Sequence, residues 1–390
     1  MLKENKSTYL PNLDGLRFLG SLFIILFHIE NLKMNLGTPV INWFAYFHPL
    51  GNLDVTLFFV LSGFIITYLL LKEKERTETI NLKNFYIRRI LKIWPLYFFI
   101  VFIGLFVLPH FDFYFYHDYS TCVGNHFSML LVSCLFFFPP LIQSLHFSIG
   151  AIWTIRVEEF FYLFWPILLK NKKNYMKLFF IVIGISLVLR NGYFVIILME
   201  KYFHVDFFYL QHSAKKIFNL TNQYRVSTMA IGGIGAYLVV FDKQKILSFI
   251  YKKQTQWIVY FVTLVLLCAK IHIPIIHWEF YSVLFTIIIV NLATNPNSIL
   301  KLDYPWMNYL GKISYGLYLY NPIMRILSLE LVEHLFRADI IGWQMNALYY
   351  FFTIISTILI SMLSYHVMEK PFLNLKKRFS PAKNLTVHSA

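Results

Sequence analysis

Arg17 and His28 lie eleven residues apart inside one apolar run. In a helix that separation returns to within about 20° of the same direction and advances about 16 Å along the axis. Both side chains therefore belong to one face, and Asp14 falls close to the same stripe. A charge inside a bilayer costs about 2.5–3.5 kcal/mol even on a mild insertion scale, so each one needs a reason. A neutral imidazole in a bundle interior can take a proton from a sugar hydroxyl as that hydroxyl attacks a thioester. A guanidinium nearer the cytoplasm can hold a phosphate or a carbonyl oxygen. The structural alternative is that Arg17 reaches back to the inner headgroups and His28 bonds a neighbouring helix. The shared face favours the chemical reading.

Two further groups carry comparable chemistry. Arg88, Arg89 and Lys92 lie in Tyr86-Ile-Arg-Arg-Ile-Leu-Lys-Ile-Trp-Pro95, at the inner end of an apolar run. They read either as positive-inside anchors or as a clamp for the phosphates of a coenzyme arriving from the cytoplasm. Trp153-Thr-Ile-Arg-Val-Glu-Glu-Phe-Phe-Tyr162 places three ionisable groups within four residues of another apolar run. Arg156 and Glu159, at i and i+3, are spaced to pair. That leaves Glu158 to orient or charge an imidazole. Ser62-Gly63 interrupts the second apolar run and permits close helix approach. His110, His117, His126 and His146 lack tight ligand spacing and read as ordinary loop histidines, so no metal site is expected.

The elements that must position these residues are membrane spans. The 390 residues are 58% hydrophobic and only 14% charged, against a quarter charged in an ordinary soluble domain. The 41 Phe and 26 Tyr suit aromatic belts. Eleven apolar segments lie near 13–32, 53–71, 93–109, 127–142, 150–169, 178–199, 226–241, 257–273, 278–294, 309–329 and 346–368. The first reads as a retained span, because no cleavage site follows it. Both ends of the chain are basic, which the positive-inside rule assigns to the cytoplasm, so one segment should not cross. Segment 127–142 is broken by Pro139-Pro140 and has no Lys or Arg in its flanks. It is expected to be a half-helix or re-entrant element sheltered by protein. The expectation is an all-α polytopic bundle of about ten transmembrane helices plus that element, forming a single domain with a core near 10–374. On this topology the inner loops hold 24 Lys and Arg and the outer loops six. The net charge of +15 is then topology and not a nucleic-acid patch. Three cysteines have neither metal-ligand spacing nor a disulfide framework.

The motifs, taken in order, resemble the membrane-bound acyltransferase-3 family, whose members O-acylate extracytoplasmic acceptors such as surface polysaccharide and lipopolysaccharide in bacteria. Leu13-Asp-Gly-Leu-Arg17 with His28 resembles its Arg-ten residues-His motif. Leu53 to Ile65 resembles its second-helix signature, Arg88 to Pro95 its basic motif, and Trp153 to Pro166 its Glu-containing segment. Tyr224-Arg225 with Gly232-Gly233, Gly311-Lys-Ile-Ser314-Tyr-Gly-Leu-Tyr318 and Glu369-Lys-Pro371 resemble later stretches. The resemblance implies that His28 is catalytic and that Glu158 assists at the acyl centre. It implies that Arg17 lies beside the acyl-CoA path and that Arg88, Arg89 and Lys92 engage the coenzyme, with Asp14, Trp153, Tyr315 and Asn321 supporting. No permanently bound cofactor is implied; acyl-CoA, most often acetyl-CoA, is a co-substrate. The partners implied are membrane lipid and a glycan or lipid-linked sugar, and the setting is a bacterial inner membrane.

Three residues depart from the family pattern. Lys92 stands where an Arg is preferred, Thr154 where a Ser is usual, and Asn321 where a His is frequent. The soluble esterase-like domain carried by some members is not seen in these residues, so transfer is expected to be completed by this domain or by a partner. A transporter or flippase for a lipid-linked sugar is the rival reading of the intramembrane charges.

Overall fold

The computed structural model describes residues 10–36, 40–41, 53–111, 119–137, 150–203, 208–336 and 343–379. Among the described residues every regular element is helical. In chain order the helices are α1 (Leu13–Asn35), α2 (Leu53–Thr77), α3 (Leu82–Phe102), α4 (Tyr119–Leu135), α5 (Ile152–Lys170) and α6 (Tyr175–Phe203). There follow α7 (Phe208–Tyr224), α8 (Val226–Val240), α9 (Gln244–Ile250), α10 (Lys253–Cys268) and α11 (His277–Thr294). The last are α12 (Pro305–Lys312), α13 (Ser314–Phe336), α14 (Trp343–Ser364) and α15 (Lys370–Lys376). Among the described residues, five helical stretches are long and apolar enough to cross a membrane: Leu53–Thr77, Leu82–His110, Tyr175–Tyr202, His277–Thr294 and Trp343–Phe379. A sixth forms if His212–Val240 and Gln244–Ile250, bent by 110°, count as one span. α1 and α5, which carry charged residues singled out above, and α13, which carries Tyr315 and Asn321, are not among the five.

The chain divides into two compact units. The first holds residues 1–71, 153–164 and 171–314, and the second 72–152, 165–170 and 315–390. In the first, α2 and α8 approach backbone to backbone. A methyl group on Gly63 would collide with the carbonyl of Met229, and one on Gly232 with the carbonyl of Val60. Small residues permit this approach where lipid supplies no hydrophobic drive between helices. The start of α1 is tied by Asn12, whose Nδ2 donates to Leu292 O at 2.8 Å and whose Oδ1 accepts from Leu302 N at 2.6 Å. In the second unit, α3 begins at an Asn81 cap, whose side chain accepts from Asn84 N at 3.0 Å. It then continues through a π turn at Ile103–Val107. Tyr97 donates to Cys134 O at 3.0 Å, holding α4 on α3.

Three expectations change. Segment 309–329 is not one span: the chain turns at Ile313 between α12 and α13. Gly311 there abuts the Asp14 carbonyl, a position that a side chain would block. The stretch near 208–224, read as part of an outer loop, is the helix α7. It packs on α6 through Phe218, whose ring centre is 5.8 Å from Tyr193 and 5.3 Å from Phe194. Its polar residues give it no apolar run by which a sequence would mark it as a span. The segment 127–142 overlaps the helix α4, which starts earlier, at Tyr119, while Pro139 and Pro140 lie outside the described residues.

Candidate active site

The residues singled out from sequence fall in both units. Asp14, Arg17, His28, Trp153 and Glu158 belong to the first, and Arg88, Arg89, Lys92, Tyr315 and Asn321 to the second.

In the first unit, Arg17 and His28 stand on the uninterrupted helix α1, so the eleven-residue spacing keeps its geometric meaning. Both are half-buried. Arg17 Nη1 is 2.9 Å from Asp14 Oδ1, one turn away. That pairing holds the guanidinium along the helix. Glu30, two residues past His28, is fully buried; it pairs with Lys33 at 2.8 Å and accepts from Ile41 N at 2.7 Å. On α5, Glu158 Oε2 accepts from the Tyr162 hydroxyl at 3.0 Å. The same hydroxyl meets Ser62 Oγ of α2. Glu158, Tyr162 and Ser62 thus form a hydrogen-bonded chain linking a carboxylate to an aliphatic hydroxyl. Such a chain can pass a proton in either direction. Sequence spacing offered Glu158 alone; the i,i+4 relation to Tyr162 was a usable signal, and the link to Ser62 was not. Trp153 packs its ring edge-on against Phe59, with centres 6.1 Å apart.

A charged cluster in the same unit was not legible as a cluster in the sequence, where only Arg225 stood out, as part of a family stretch. Arg190 of α6 grips Glu279 of α11 through two bonds of 2.9 and 2.6 Å, and Ser227 adds a third at 2.5 Å. Arg225 lies 3.7 Å from the centre of the Trp278 ring. Its Nη1 donates to Thr56 Oγ1 at 3.1 Å, and its Nε to Asn222 O at 3.1 Å. Trp278 Nε1 donates to Asn222 Oδ1 at 3.0 Å. Arg225 also adopts a left-handed backbone (φ 40°, ψ 40°), uncommon outside glycine. These bonds join the starts of α8 and α11 to α2 and α6. No spacing rule connects residues so far apart in the chain.

In the second unit, Arg88 has defined partners. It donates to Glu73 Oε2 at 2.7 Å and to Phe379 O at 2.7 Å. Arg89, one position on, lies 5.5 Å from the centre of the Phe85 ring. Lys92 lies near enough to Glu369 for the two charges to interact. Tyr315 donates to Ile93 O at 2.9 Å, fixing the start of α13 beside Lys92. Asn321 is fully buried on α13. Of the four histidines expected in loops, His126 instead lies on α4 and His110 ends a short helical turn at Leu108–His110, while His117 and His146 lie outside the described residues. Among the described residues no group of three potential ligands could hold a metal.

A family profile described as an acyltransferase domain matches residues 10–366. A Staphylococcus aureus protein named "Putative O-acetyltransferase" is 28% identical over 392 residues, covering 95% of this chain and 58% of its own length. The O-acetyltransferase OatA of S. aureus is 25% identical across 93% of this chain and 57% of its own. The peptidoglycan O-acetyltransferase OatA of Listeria monocytogenes is 30% identical over 191 residues, 46% of this chain and 28% of its own. The chain therefore spans a little over half the length of the curated relatives it matches from end to end. No solved structure matches.

Proposed function

The chain belongs to the acyltransferase-domain family, and from that premise we propose that it transfers an acetyl group from cytoplasmic acetyl-CoA to a hydroxyl of an extracytoplasmic glycan or lipid-linked sugar. The observation that carries this reading is the set of polar side chains on α1 and α5. Arg17 is aligned by Asp14, His28 shares its helix, and Glu158 is hydrogen-bonded through Tyr162 to Ser62. A helix needs none of these merely to span.

The proposed chemistry runs as follows. The acceptor oxygen attacks the thioester carbonyl, the C–S bond breaks, and coenzyme A leaves as the thiol. His28 takes the acceptor proton and returns it to the departing sulfur. A variant of the same path puts the acetyl group on His28 first, with the hydroxyl displacing it in a second step. Arg17 stabilises negative charge developing on the carbonyl oxygen. Glu158 supports the imidazolium as it forms. Of the three basic residues expected to engage the coenzyme, Arg88 is taken up by Glu73 and the Phe379 carbonyl, and Arg89 and Lys92 are assigned to its phosphates. The proposed setting is ten crossings of a bacterial inner membrane with both termini in the cytoplasm.

The test is thioester consumption. Membranes holding the wild type should release free coenzyme A from acetyl-CoA when acceptor is supplied, and His28→Ala should not. Full release by His28→Ala would remove the imidazole from the mechanism. Acceptor movement across the membrane without thioester loss would replace the reading with transport.

A further inference from the structure

α14 has two faces of opposite character. Phe351, Leu359 and Leu363 are more than half exposed, as suits contact with lipid, whereas Thr353, Thr357 and Ser361 are fully buried. The buried face meets α13 within the second unit. Ser328 Oγ and Ser356 Oγ are 3.4 Å apart, and a methyl group on Gly316 would sit 3.1 Å from the Ser361 Cβ. Asn321 lies on α13 between these two points, and Arg325 and Ser328 follow it at helical spacing on one stripe.

The polar atoms of this seam are satisfied unequally. Thr357 donates to Thr353 O at 2.6 Å and Ser361 to Thr357 O at 2.6 Å, each using the carbonyl one turn back. Thr353 Oγ1 has no partner, although it is fully buried. Both amide atoms of Asn321, Oδ1 and Nδ2, are also buried and without partners. Orphan polar atoms are costly in any protein interior and more so at bilayer depth, where no bulk water competes. Such groups call for a partner that binds there.

We infer that the seam between α13 and α14 is a binding site for the hydroxyls of the glycan acceptor, with Asn321 and Thr353 as its recognition groups. The inference rests on the acyl-transfer reading for its choice of ligand. The orphan atoms of Asn321 and Thr353 are neutral. An Asn side chain sets a donor and an acceptor on adjacent atoms, which matches two neighbouring hydroxyls of a sugar ring, and a Thr hydroxyl adds one group able to do either. The phosphates of the coenzyme match the cationic end of α3 instead. Sites built on hydrogen bonds to a ligand hydroxyl also discriminate strongly, because a ligand lacking it leaves them unpaired.

The experiment uses the full chain, purified in detergent, with the trimer of N-acetylglucosamine as probe. The thermal midpoint is titrated with the trimer in the absence of acetyl-CoA, for the wild type, Asn321→Leu, Thr353→Val and the lipid-face control Phe351→Leu. The wild type and the control should be stabilised by the trimer. Each seam variant should need at least tenfold more of it while melting, without the trimer, no lower than the wild type. With acetyl-CoA added, the seam variants should raise KM for the trimer and leave KM for acetyl-CoA unchanged. Identical titrations for wild type and seam variants, a wild type indifferent to the trimer, or a rise in KM for acetyl-CoA alone would each overturn the site. A wild type that binds the trimer through Asn321 and Thr353 but consumes no acetyl-CoA would instead strike the acyl-transfer reading.

Discussion

Arg225 lays its guanidinium 3.7 Å from the centre of the Trp278 ring while its Nη1 donates to Thr56. One side chain thus ties the start of α8 to α11 and to α2. Lysine keeps the charge but loses the planar stack and the fork. A desolvated cation–π contact contributes about 2 kcal/mol or more, and a hydrogen bond from a charged group about 1.5–3 kcal/mol. Arg225→Lys should lower the unfolding free energy by about 2–4 kcal/mol, read from the thermal midpoint in detergent together with a change in tryptophan emission.

Tyr162 is the second link to test. Its hydroxyl donates to Glu158 and meets Ser62. Tyr162→Phe keeps the ring and its packing but cuts this chain. If the chain moves or steadies a proton, kcat should fall by about tenfold or more, since a bond to a charged group corresponds to at least 1.36 kcal/mol. KM for acetyl-CoA and the thermal midpoint should stay near the wild type. Ser62→Ala should give the same split. Unchanged kcat in both would make the chain a packing feature.

Neighbouring arginines on α3 should separate stability from binding. Arg88 pairs with Glu73, with side-chain exposures of 12% and 5%, so Arg88→Ala strands a buried carboxylate. Breaking such a pair costs about 3–5 kcal/mol when burial is complete, and a large fall in midpoint is expected. Arg88→Met with Glu73→Leu should recover much of it. Arg89→Ala removes a half-buried cation whose neighbour is the Phe85 ring. It should raise KM for acetyl-CoA.

The α2–α8 contact sets a steric limit. Gly63 faces the Met229 carbonyl, which belongs to backbone and cannot rotate away. Gly63→Val should abolish accumulation of folded protein in membranes. Gly184, with open space around the position of its missing Cβ, should accept Ala without loss. Equal yields from Gly63→Val and the wild type would show that α2 and α8 stand further apart.

Much of this protein is written in short-range pattern. Composition and run length alone required helices and a membrane, and the order of motifs pointed to the family that the profile match bears out. The common helix of Arg17 and His28 follows from spacing, because 3.6 residues per turn decides which side chains on one helix are neighbours. The same rule explains Arg17 with Asp14 and Glu158 with Tyr162, which are local pairs. Partners on different helices obey no such period. Tertiary packing alone decided that Ser62 joins Tyr162, that Arg88 takes Glu73 and the Phe379 carbonyl, and that Arg190 grips Glu279. It also decided that a polar stretch near 208–224 folds as a helix, since that helix is defined by what it packs against and not by apolar length.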